Sequence, residues 1–218
     1  MFHLPRSSGG FRFGGVLLLT LAVAVFTLIA PEGRTVRTIE LLAAGATLLV
    51  AVLTSKAPAA TRRAAGVGLV VALVVTSTLS ATGESHQGLT FAVIAVLVIV
   101  TIVIILAGLI RLITERGVVL QAVFAAVSVY VLVGLAFAFV IDTIATVGNA
   151  AYFASGTDGT QSERAYFSFT TLTTTGYGDY TAGTSGGRAL AVLEMLLGQL
   201  YLVTVIALLV GNLRRRPQ

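Results

Sequence analysis

The sequence predicts an all-α membrane protein, with six transmembrane helices and a re-entrant helix and loop between the fifth and the sixth. Three observations predict it. Of 218 residues, 56% are hydrophobic and only 11% charged, whereas a soluble domain carries about 25% charged residues. Apolar runs of membrane-crossing length recur, separated by short segments that collect the charges. One long connection begins polar and turns apolar midway, which is tolerated at membrane depth only where protein or a water-filled cavity shields it.

The runs are Gly14–Ala30, Ile39–Thr54, Ala64–Ala81, Leu89–Ile110, Val118–Ile141 and Ala189–Leu213. Each is near the roughly 17–25 residues that cross a bilayer, the second being marginal. A bilayer offers no partner to a free backbone N–H or C=O, so each is a helix. None alternates as a barrel strand must. Arg6 and Arg12 before the first run resemble a signal-peptide start, but Pro31-Glu32-Gly33 is a poor cleavage context, and the run reads as a retained span.

Lysine and arginine set the orientation. Arg6 and Arg12, then Lys56, Arg62 and Arg63, then Arg111 and Arg116, and finally Arg214, Arg215 and Arg216 fall on one face, read as cytoplasmic together with both termini. The opposite face carries Arg34, Arg37, Arg164 and Arg188, with Glu32, Glu40, Glu84, Asp142, Asp158, Glu163 and Asp179. The net charge of +5 thus reports membrane orientation and not nucleic-acid binding. The absence of cysteine excludes disulfides and thiolate metal sites. His3 and His86 sit outside the apolar runs and read as solvated. No nucleophile, base or metal cluster marks an enzyme, and no paired repeats with broken helices mark a transporter.

The long connection runs from Asp142 to Arg188. Ser162 is a candidate N-cap, and Glu163 stands in the first turn, where the helix dipole favours an anion. Tyr166, Phe167 and Phe169 add aromatic bulk to a short helix whose partially negative C-terminal end points into the membrane and favours a cation. Thr174-Thr175-Gly176-Tyr177-Gly178-Asp179 follows. Glycine at 176 and 178 permits the dihedrals that turn successive carbonyls toward one axis, where they replace an ion's hydration shell. Thr174 adds a hydroxyl oxygen, Tyr177 points away from the axis as a brace, and Asp179 concentrates cations at the outer mouth.

This motif resembles the signature of the potassium channel pore family, usually Thr-Val-Gly-Tyr-Gly, and the resemblance covers Val118 to Leu213. It implies a homotetramer around a central pore and K+ as the permeant ion, bound at Thr174, Thr175, Gly176, Tyr177 and Gly178. It implies no cofactor and no enzymatic activity. Thr175 stands where valine is usual, and its hydroxyl raises a weakly selective pore as a second reading. Phe167 stands where the family often places a tryptophan that bonds the filter tyrosine, which leaves Tyr166 as a partner for Asp179. Thr173 joins these as filter support.

Glu194, inside the last span, is a carboxylate at membrane depth and thus a functional candidate. It reads either as filter support or as an interfacial polar contact. Gly198 resembles the family's hinge glycine, with small-residue packing as the alternative. Gln199 and Thr204 are candidates for the cavity wall. Leu89–Ile110 carries no Lys or Arg, so it lacks the charges of a voltage sensor. The chain therefore divides into a four-helix scaffold (1–117), a pore domain (118–213) and a short basic tail (214–218). Its expected partners are membrane lipid and its own copies, with no soluble regulatory domain. Its Ala-, Val- and Gly-rich spans fit a bacterial inner membrane.

Overall fold

Apolar runs satisfy their backbone internally, and the computed structural model, which describes residues 12–82 and 87–213, resolves them into seven helices. These are α1 (Phe13–Ile29), α2 (Arg34–Thr54), α3 (Ala59–Thr82), α4 (Gln87–Arg116), α5 (Leu120–Val147), α6 (Gln161–Leu172) and α7 (Ser185–Leu213). His3, Arg6, Glu84, His86 and the tail 214–218 lie outside the described residues. Five helices, α2 to α5 and α7, are long and apolar enough to cross a membrane; α1 is a shorter apolar helix of 17 residues, about 25 Å long.

Local chemistry sets several helix ends. Pro31 forces the preceding residue out of the helical region, and Ala30 is extended at φ −72°, ψ 140°. Gly117, at φ +71°, takes the left-handed position that ends α4, and its N–H donates to Ile113 O at 2.9 Å. α2 begins at Arg34, ahead of the expected Ile39, because Arg34 and Arg37 extend the helix beyond its apolar part with their head groups free to reach water.

The centre of the bundle is α5. Ala122, Ala125, Ala126, Gly134 and Ala138 are buried along it, and such small side chains let neighbouring helices approach closely. α1, α4, α6 and α7 all pack on α5; α2 packs on α1 and α4; α3 touches only α2 and α4 and lies at the periphery. Buried threonines return their hydroxyls to their own helix: Thr20 donates to Val16 O (2.8 Å), and Thr101, the polar residue amid α4, donates to Leu97 O (2.7 Å).

At one end of the bundle Arg111 Nη1 donates to Lys56 O (2.7 Å). At the other, the α1–α2 corner grips the start of α6. Gln161 Nε2 donates to both Glu40 oxygens (2.6 and 2.7 Å), Gln161 N–H donates to Glu32 Oε1 (2.8 Å), and Ser162 Oγ donates to Leu28 O. Arg164, grouped by sequence with the solvent-side charges, is instead buried. Its Nε donates to Asp142 Oδ1 on α5, and its Nη1 donates to Asp158 O (3.1 Å) and Gly159 O (2.7 Å).

Removing one partner of a buried pair strands the other charge, at about 3–5 kcal/mol. Arg164→Met and Asp142→Leu should each lower the thermal unfolding temperature in detergent sharply. The double variant Arg164→Met/Asp142→Leu should recover most of the loss.

Candidate functional site

The site is built on α6. Thr160, not Ser162, is its N-cap: Thr160 Oγ1 accepts from Glu163 N–H (3.2 Å), and Glu163 Oε2 accepts from Thr160 N–H (2.6 Å). This reciprocal capping box was legible as Thr-x-x-Glu at 160–163. Ser162 is committed to α1. The Thr160 N–H, together with the Tyr180 hydroxyl donating at 2.7 Å, holds the Glu163 carboxyl below the ordinary carboxylate range. The same contact raises Tyr180. This link from the start of α6 to the loop beyond 179 is therefore kept at neutral pH, and lost as pH falls through the lowered Glu163 pKa or rises through the raised Tyr180 pKa.

The loop before α6 is pinned to the loop after 179. Ala154 N–H donates to Thr181 O and Gly183 N–H donates to Tyr152 O, both at 2.8 Å. Phe167 is buried against Tyr152 and Phe153, with ring centroids 6.0 and 5.6 Å away. Tyr166 stacks on Tyr177, centroids 6.3 Å apart and planes 6° apart. A hydrogen bond to Asp179 contributes to raising the Tyr166 hydroxyl pKa, after desolvation.

After Leu172 the backbone turns back on the helix end. Thr174 N–H donates to Thr171 O (2.9 Å), while Thr175 and Gly176 N–H both donate to Thr170 O (2.9 and 3.1 Å). Positive φ recurs at every second residue: Thr174 (57°), Gly176 (49°) and Gly178 (84°). Alternating the sign of φ lets successive carbonyls face one side. Among the described residues, no carbonyl from Thr173 to Gly178 accepts a hydrogen bond. Residues 173–179 are exposed on the protomer. Thr173 Oγ1 donates to Phe169 O (2.8 Å) and lies 2.9 Å from Thr175 Oγ1.

One face of α7 supports this turn. Glu194 is fully buried, with Oε1 2.5 Å from Ser168 Oγ; Ser168 Oγ in turn lies 2.8 Å from Gly134 O on α5. Gly198 sits beneath the last carbonyl of α6: a Cβ there would collide with Leu172 O. Close packing is thus a sufficient reason for glycine at 198. Tyr201 donates to Ala126 O (2.7 Å) and stacks on Tyr130, whose hydroxyl donates to Leu172 O (3.3 Å). Gln199 and Thr204 are exposed on the protomer. Among the described residues, no cluster of His, Asp or Glu could hold a metal ion.

Sequence reasoning missed the Arg164–Asp142 pair, the Glu40–Gln161 contact and the role of Ser168. The available signal was chemical: Glu194 is a carboxylate inside one apolar run and Asp142 directly follows another, and each requires a partner.

The fold is that of an all-helical membrane protein, with five helices long and apolar enough to cross a membrane, in which the turn after α6 carries carbonyls that no described residue bonds. Residues 98–215, more than half of the chain, match a family model described as "Ion channel". The chain belongs to that ion channel family. No curated protein and no solved structure matches it.

The Ser168 hydroxyl has one proton and faces two oxygens. Both contacts are hydrogen bonds only when Glu194 brings a proton of its own, as a carboxylic acid or its amide analogue can. Glu194→Gln should therefore preserve thermal stability, whereas Glu194→Ala should lose about 1–3 kcal/mol. Gly198→Ala, which forces α7 away from α6, should cost about 1–3 kcal/mol in the same unfolding measurement.

Proposed function

We propose that the chain is one subunit of a homotetrameric potassium channel, with six transmembrane helices per subunit and passive conduction through a filter formed by Thr174 to Gly178. The observation that carries this reading is the alternating positive φ at 174, 176 and 178 combined with unbonded carbonyls from 173 to 178. Four such strands around an axis supply stacked rings of oxygen that take the place of a potassium ion's hydration shell. K+ binds at Thr174, Thr175, Gly176 and Tyr177, and Asp179 concentrates cations at the outer mouth. Tyr166, Phe167, Thr173 and Glu194 support the filter from behind.

Assembly into a tetramer is supported by exposure on the protomer. Tyr177 is 72% exposed, and α7 carries exposed Leu193, Leu197 and Leu200. Residues 1–117 form a scaffold around the pore domain 118–213, in a cell membrane with both termini on the cytoplasmic side.

A weakly selective cation pore is the second reading, because Thr175 places a hydroxyl where a purely apolar side chain would stiffen the filter wall. Its contact with the Thr173 hydroxyl at 2.9 Å favours the selective reading, since the group is already engaged.

Purified protein in liposomes should pass K+ with a reversal potential near the K+ equilibrium value under opposed Na+ and K+ gradients, and Thr175→Val should preserve it. Equal permeability to the two ions would establish the second reading. Gly176→Ala places a side chain at φ +49°, where L-residues are strained, and should abolish flux; undiminished flux in that variant removes the filter assignment.

A further inference from the structure

α3 leaves a cavity where it should meet α4. The space measures about 720 Å³ and is bounded by α2, α3 and α4. Its α3 wall is made of small residues such as Ala64, Gly68 and Ala72, and its α4 wall of Val96, Val100 and Val103. It runs from Thr61 to Val75 along α3, about 21 Å at 1.5 Å per residue. That exceeds one leaflet of a hydrocarbon core about 30 Å thick.

Among the described residues, charge gathers at one end of this groove. Arg62 and Arg63 flank Thr61, and Arg63 lies against a shallower groove with Val67, Val70 and Val71; Val71 also lines the larger cavity. Lys56 and Arg111 lie at the same end of the bundle, joined by the Arg111–Lys56 hydrogen bond. Among the described residues, neither Arg62 nor Arg63 has a carboxylate partner.

The shape and chemistry select the occupant. The nearly all-aliphatic lining gives water no hydrogen bonds. A flexible apolar chain fits, and Arg62 and Arg63, next in sequence to the lining residue Thr61, call for an anion. We propose that this groove binds an acyl chain of an anionic phospholipid, with the lipid phosphate held by Arg62 and Arg63. The lipid completes the packing of α3 on α4, and through α4 it adjoins α5, the central helix of the bundle.

The chain has no tryptophan, so Val103→Trp, at a groove position already 60% exposed, introduces a single fluorophore. The full-length variant is reconstituted in vesicles containing phosphatidylglycerol or phosphatidylcholine brominated on the acyl chains. Phosphatidylglycerol should quench at about thirtyfold lower mole fraction than phosphatidylcholine, the order expected for two basic residues near the bilayer surface. Adding Arg62→Gln and Arg63→Gln should erase that preference. Gly68→Leu, whose side chain enters open space, should fill the groove and suppress quenching by either lipid. The proposal is overturned by equal quenching from the two lipids, by a preference that survives loss of both arginines, or by undiminished quenching in Gly68→Leu. Absence of quenching by any lipid also overturns it, since the groove is then covered by another copy.

Discussion

The buried contact between Arg164 and Asp142 is the constraint on which the rest of the site depends. α6 has only 12 residues, too short to be a stable helix alone in water. Its direction is fixed because its second turn carries an arginine that cannot be left unpaired in an apolar setting. Asp142 supplies the charge from α5, and the carbonyls of Asp158 and Gly159 take further guanidinium protons. Three of the five guanidinium protons are taken in this way, and such bonds help a buried pair offset the desolvation of its two ions. The pair therefore sets where α6 enters the bundle and at what angle.

The C-terminal end of α6 is set differently, by close approach and not by charge. Gly198 admits the Leu172 carbonyl, Tyr130 donates to the same oxygen, and Tyr201 ties α7 to α5. Glu194, Gly198 and Tyr201 follow at intervals of four and three residues, which places them on one face of α7. That face meets α5 and α6, while Leu193, Leu197 and Leu200 are left outward. One helix thus braces the turn on one side and presents an apolar surface on the other.

Much of this was legible in the sequence, for identifiable reasons. The apolar runs predicted the long helices because bilayer length and backbone satisfaction leave little choice. The segment Thr174 to Asp179 stood out because its glycines serve a backbone requirement, and positive φ at Gly176 and Gly178 is the conformation glycine permits. The left-handed Thr174 was not foreseen: threonine rarely adopts that region, and only the bonds of the next two N–H groups to Thr170 O account for it. The contacts of Gln161 with Glu32 and Glu40 join residues 129 and 121 positions apart. No local pattern encodes such pairs, and periodicity does not say which helix will be the neighbour of α6. The cap was misplaced at Ser162 because two hydroxyl residues stand only two positions apart, and the spacing to Glu163 distinguishes Thr160.

The arrangement also shows where the backbone is left without protein partners. Backbone carbonyls at membrane depth must find a partner. In α6 they find one within the helix, and at its end Thr170 and Thr171 receive the N–H groups of residues 174–176. That reverse bonding consumes donors, and the carbonyls from Thr173 to Gly178 are left without any from the described residues. They lie at the negative end of the α6 dipole, on a segment held at both sides by the contacts of Thr173 and of Tyr166 with Tyr177. Oxygens so placed, unpaired by any described residue, are open to partners outside the protomer, in a chain that belongs to the ion channel family.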